Sequence, residues 1–149
     1  GYQPILSPDD TKIAYVKYSS DAKSCSIWIM DIDGSNQVQV TDAKKGYAFN
    51  PCWSPDGKRI VFQSTKKDKK DPDIYIVNID GDNLTQLTKN KSNDMEPYWT
   101  TDGYLYFTSD RKSMFVVASL APIAPSSSSV VNNTFKLVIC QSNYNNCFY

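Results

Sequence analysis

The chain has 149 residues, 40% of them hydrophobic and 13% aromatic, enough to build one domain with its own core and too apolar to remain disordered. The 16 Lys and Arg are balanced by 16 Asp and Glu, and a net charge of zero removes the main electrostatic argument for nucleic acid or an anionic membrane as partner. Histidine is absent, which excludes Ser–His–Asp and Cys–His catalysis within this polypeptide. No apolar run approaches the ~20 residues needed to cross a bilayer as a helix.

In chain order, the first signal is a unit that returns. Ser7-Pro8-Asp9 recurs as Ser54-Pro55-Asp56, 47 positions on, and Ile13-Ala14-Tyr15 recurs as Ile60-Val61-Phe62. Ile27 to Gly34 recurs as Ile74 to Gly81, and Val38 to Thr41 as Thr85 to Thr88. Pro51-Cys52-Trp53-Ser54 then returns 46 positions on as Pro97-Tyr98-Trp99-Thr100, and Asp56-Gly57 as Asp102-Gly103. Repeats of this length are the signature of stacked supersecondary units. We therefore divide residues 1–117 into units of about 1–49, 50–95 and a partial 96–117.

The second unit shows what each copy contains. Pro51 to Ser54 reads as a short strand, and Pro55-Asp56-Gly57-Lys58 as a turn in which Pro fixes φ, Asp bonds its own backbone and Gly takes positive φ. Arg59 to Ser64 has the β-branched and aromatic centre of a second strand. Thr65 to Pro72 is a polar loop whose Lys66, Lys67, Lys69 and Lys70 are offset by Asp68, Asp71 and Asp73, so it reads as a solvated connection. Asp73 to Ile79 is a third strand, apolar on both faces and thus packed between sheets. Asp80-Gly81-Asp82-Asn83 is a hairpin turn, and Leu84 to Thr88 an outer strand with polar Thr85 and Gln86. A four-stranded antiparallel unit of this size is one β-propeller blade. Its faces can be buried only by stacking blades, with Trp28, Trp53, Phe62, Tyr75 and Trp99 filling the gaps.

The repeat fades after Arg111. Met114 to Val117 reads as a third strand of the last unit, but no Asp-Gly turn follows it. Residues 118–134, with Pro122, Pro125 and Ser126 to Ser129, read as a Pro/Ser-rich linker. Residues 135–149 hold a strand, Phe135 to Cys140, and an Asn-rich tail. Three blades fall short of the four to eight of closed propellers, so an incomplete or oligomer-completed propeller is expected. The chain would be part of a longer one, close a ring with copies of itself, or run on as a filament. In the oligomeric cases Phe135 to Cys140 could complete a neighbour's blade by strand addition.

Four cysteines, Cys25, Cys52, Cys140 and Cys147, allow three pairings, and their spacing suits a zinc site poorly. Cys140 and Cys147 are the disulfide candidates, and Asn83 and Asn132 begin glycosylation triplets. Asp80-Gly81-Asp82-Asn83 and Asn93-Asp94-Met95-Glu96 could offer oxygens to calcium but lack the spacing of a helix–loop–helix calcium loop, so no cofactor is expected. A start at Gly1 without Met leads us to expect a mature form or a fragment.

The motifs Ser54 to Phe62, Asp73 to Gly81 and Leu87-Thr88 together resemble the repeat of the TolB-type β-propeller. The first copy departs at Asp10, Ser26 and Val40, and the third keeps Trp99, Asp102-Gly103 and Tyr106 to Arg111. The resemblance implies a periplasmic or extracellular, non-enzymatic scaffold that binds a protein at one end of its ring. By that analogy the contacts lie in the connections around Asp42 to Phe49 and Lys89 to Glu96, with Tyr47, Phe49, Met95 and Glu96 as binding residues. A self-assembling structural subunit and the propeller of a serine peptidase are the alternatives, since function belongs to sites rather than to folds.

Overall fold

The computed structural model describes residues 1–66, 71–110, 116–119, 136–140 and 147–148. Its strands are β1 (Tyr2–Leu6), β2 (Lys12–Tyr18), β3 (Cys25–Asp31), β4 (Val38–Gln39), β5 (Gly46–Trp53), β6 (Arg59–Lys66), β7 (Asp73–Asn78), β8 (Thr85–Gln86), β9 (Asp94–Trp99), β10 (Leu105–Ser109), β11 (Val116–Ser119), β12 (Lys136–Cys140) and β13 (Cys147–Phe148). A 3-10 turn, Ala43–Lys45, precedes β5. Among the described residues no helix is long and apolar enough to cross a membrane.

The expected blades are present. Antiparallel β1-β2-β3-β4 forms the first and β5-β6-β7-β8 the second, joined by one parallel bridge between Cys25 and Tyr47. The third begins with β9 paired to β10, and β11 runs beside β10. Among the described residues the sheets do not close on themselves, as in an incomplete propeller. Of the strand expected over Phe135 to Cys140, Lys136–Cys140 is described, as β12. Lys136–Cys140 pairs antiparallel with β11 of its own chain, Val116 against Ile139, and then with β13. The linker between them, Asn132 and residues 67–70 of the lysine-rich loop lie outside the described residues.

The turn chemistry recurs copy by copy. In the second turn the Ser54 hydroxyl donates to Asp56 at 2.5 Å while accepting the Arg59 amide at 2.9 Å. Ser7 does the same with Asp9 and Lys12, and Thr100 with Asp102 and Tyr104. Ser7 and Thr11 hydroxyls, followed by the Thr11 amide, hold the Asp9 carboxyl below its usual range. The Leu-Thr signature is a hook: Thr88 Oγ1 accepts the amide of Ile74 at 2.9 Å and donates to Asp73, and Thr41 accepts the amide of Ile27 at 2.8 Å. Each hook fastens the outer strand to the third strand where the ladder is only two residues long.

Two seams hold the stack. Ala14, Ile27, Ile29 and Val40 of the first blade bury against Trp53, Ile60, Phe62, Tyr75 and Val77 of the second. Cys52, Val61 and Ile74 on the far side of the second blade bury against Trp99, Leu105 and Phe107 of the third. Polar contacts cross the same seams. Trp53 Nε1 donates to the Ile5 carbonyl at 3.1 Å, and the Arg59 guanidinium lies 5.0 Å from the Trp99 ring centroid.

The first strands differ from expectation in length. β5 starts at Gly46, not Pro51, and its ladder to β6 is interrupted between Phe49 and Cys52. β1 and β9 carry matching interruptions. At each one a non-glycine residue takes positive φ: Gln3 at 52°, Asn50 at 49° and Glu96 at 54°. These are β-bulges, one per blade at the same repeat position.

Candidate interaction face

The early start of β5 decides what the anticipated binding residues do. Tyr47 and Phe49 were expected in a connection; the structure puts them inside β5, two residues apart and so on one face of the strand. Their rings stack, 6.0 Å between centroids with planes 8° apart. Met95 and Glu96 likewise lie in β9, both exposed. Phe49 faces Gln63 across the ladder and Met95 faces Thr108, so they occupy equivalent places in consecutive blades.

Two further rings extend the Tyr47–Phe49 stack. Tyr18, the last residue of β2, lies 6.3 Å from Phe49, and Tyr2, the first of β1, meets Tyr18 edge-on at 5.3 Å with an interplanar angle of 85°. Tyr2 and Tyr18 are 64% and 40% exposed, and Phe49 and Tyr47 are half-buried. The result is a row of four aromatic rings crossing from the first blade to the second. All four sit at the end of the sheets where first strands begin and second strands finish. Tyr2 was legible in principle, since it stands 47 positions before Phe49. Tyr18 was not, because its counterpart in the second blade is Thr65.

Polar groups frame this end. Asp42 caps the 3-10 turn by accepting the Lys44 amide at 2.9 Å. Asp110 accepts the side-chain and backbone N–H of Asn93, at 2.6 and 2.8 Å, and the Asn93 side chain is the main cause of an Asp110 carboxyl held below its usual range. Buried Asp94 accepts from Asn90 at 2.6 Å, and its amide donates to the Pro72 carbonyl, tying the third blade to the loop before β7. Glu96 projects from its bulge with its amide held by Gln63 Oε1 at 2.9 Å. The face offers a row of aromatic rings with carboxylates at one side, a chemistry of contact.

The other candidates are scattered. Asn83 is exposed in the turn after β7 with φ of 56°. Asp80 is engaged with the Asp82 amide at 2.9 Å. Among the described residues, no three His, Cys, Asp or Glu side chains converge where a metal ion could be held.

Repeated four-stranded sheets stacked face to face through large apolar side chains define a β-propeller segment. The family model of the TolB beta propeller domain matches residues 2–121, and the chain belongs to that family. TolB from Acinetobacter baumannii is similar at 26% identity, with a TM-score of 0.68 over 91% of this chain and 31% of that one. A TolB-type structure from Agrobacterium tumefaciens is 23% identical, with a TM-score of 0.64 over 96% of this chain and 46% of that one. The β-propeller domain of the trilobed protease from Pyrococcus furiosus, with its open velcro topology, shares the fold at 17% identity and a TM-score of 0.55, over 93% of this chain and 38% of that one. This chain thus spans less than half the length of each of these proteins. No curated protein matches it in sequence.

Proposed function

We propose that this chain is a non-enzymatic, periplasmic scaffold that binds a protein partner through the end of its blades bearing Tyr2, Tyr18, Phe49 and Tyr47, with Met95 and Glu96 beside them on the third blade. The aromatic row carries the reading. Clustered aromatic rings are among the side chains that most often anchor protein interfaces, and here two exposed rings adjoin two half-buried ones, all on strands. Membership of the TolB family supports the compartment and the scaffold role.

A photo-crosslinking amino acid placed at Tyr18, and separately at Asp33 in the hairpin at the opposite end, tests this in the native host envelope. A defined adduct from position 18 and none from position 33 is expected, with Tyr18→Ala weakening partner binding by about 2 kcal/mol. Adducts from position 33 alone, or from neither, would overturn the assignment.

A second reading, self-assembly, is favoured by the outer face of the first blade. Leu6, Ile13, Trp28 and Met30 are the repeat counterparts of Trp53, Ile60, Tyr75 and Val77, which the seam buries. On the first blade Leu6 is exposed and Ile13, Trp28 and Met30 are half-buried, and Met30 lines an open groove of about 400 Å³ with Tyr15 and Lys17. Apolar side chains left open there support the reading that another blade packs against this face.

A further inference from the structure

We infer that Cys140 and Cys147 are joined by a disulfide that closes the β12–β13 hairpin, and that Cys25 and Cys52 remain thiols. The ladder sets Cys140 directly opposite Cys147, next to the pair Ile139 and Phe148. Residues opposed in an antiparallel pair share one face of the sheet, with Cα atoms roughly 4.5–5.5 Å apart. Disulfides span Cα separations of roughly 4.4–6.8 Å, so this backbone arrangement needs no movement to accept the bond.

The other two cysteines are engaged elsewhere. Cys25 is buried in the first seam region and its thiol donates to the Ala48 carbonyl at 3.2 Å. Cys52 is buried in the second seam, where its sulfur accepts the Trp99 amide at 3.2 Å. Both are free, and burial pushes both thiols up in pKa, away from the reactive thiolate. Of the three possible pairings of four cysteines, only one therefore leaves these two undisturbed.

The oxidant is a small disulfide of the glutathione class. One protein thiolate attacks a sulfur of that disulfide and expels one small thiol; the second protein thiolate attacks the mixed disulfide and expels the other. Two protein thiols are oxidised, one small disulfide is reduced to two thiols, and the two protein protons end on those thiols. The bond would tie the outermost strand of the third blade to the strand before it across only six intervening residues.

The test equilibrates the whole chain in an oxidising glutathione buffer, denatures it, alkylates free thiols and reads the mass and the peptide map. The expected result is a loss of two hydrogens against the reduced chain, alkylation at Cys25 and Cys52 alone, and a linked peptide joining Cys140 to Cys147. Cys140→Ser and Cys147→Ser should each expose one additional alkylatable thiol. Four alkylated cysteines after equilibration, a link through Cys25 or Cys52, or a link between two chains would overturn the inference. Because the peptide map is read on the unmutated chain, a poorly folding variant does not blunt the test.

Discussion

Tyr75 stands with its hydroxyl buried in the first seam and without a hydrogen-bond partner among the described residues. Burial, and then the charge of Asp73, pushes its phenol up from 10.0 to about 12. The folded chain therefore favours the neutral phenol. The stability this confers is whole below pH 10 and is lost as pH rises towards about 12. The urea midpoint should fall across that window and fall less in Tyr75→Phe; an identical alkaline limb in the variant would contradict the assignment. Tyr15 shifts in the same direction through burial, so some fall remains. At neutral pH the same variant should cost nothing and could gain about 1 kcal/mol, because it removes a buried polar atom. Residues of this kind separate what the sequence tells from what it hides. The serine, proline and aspartate of the first two turns announce their roles, because proline fixes φ while the serine and aspartate side chains accept nearby backbone amides. Gln3, Asn50 and Glu96 announce nothing, since no glycine marks a positive φ that is imposed by the bulge and by the neighbouring blade.

The strands show the same division. The order of the blade strands was readable from alternation and from recurring turns, and β6, β7 and β8 lie where the pattern put them, whereas β13 was not anticipated in the Asn-rich tail. β5 was read too short because its opening residues, Gly46 to Asn50, do not alternate and the strand runs through a bulge. Tyr47 and Phe49 were consequently expected on a loop, although they belong to a rigid strand. Strand β12 was recognised, but its partner was not, because sequence pattern gives a strand's faces and not its neighbour. The hook on strand β8 gives a sharper test at this level. Thr88→Val keeps the volume and removes the oxygen that accepts the Ile74 amide and donates to Asp73. With both partners buried, the loss should be about 2–3 kcal/mol in denaturant unfolding, and the corresponding Thr41→Val, which has no carboxylate partner at Ser26, should lose less. Equal losses would show that the Asp73 contact contributes nothing.

Across the molecule, blades meet through backbone as well as side chains. Gly81 has φ of 91°, and a Cβ there would lie 3.3 Å from the Val40 carbonyl oxygen in the adjoining blade. Gly34 occupies the same place in the first blade with φ of 87° and nothing within 4 Å. Gly81→Ala should therefore cost more than Gly34→Ala, which bears only the conformational term of about 1–2 kcal/mol, and chemical unfolding of the two variants measures the difference. If both cost the same, the seam is looser at that corner than the geometry indicates.

The three bulges carry a consequence for how the stack comes apart. Gln3 bonds Asn50 through both the N–H and the oxygen of its side-chain amide, Asn50 donates to Gln63, and Gln63 accepts the Glu96 amide, so one thread of amide groups runs from the first blade to the third. A blade that frays at its first strand takes a donor or an acceptor away from the next. Opening should then spread along the row like a dropped stitch, and the blades should melt together rather than one by one.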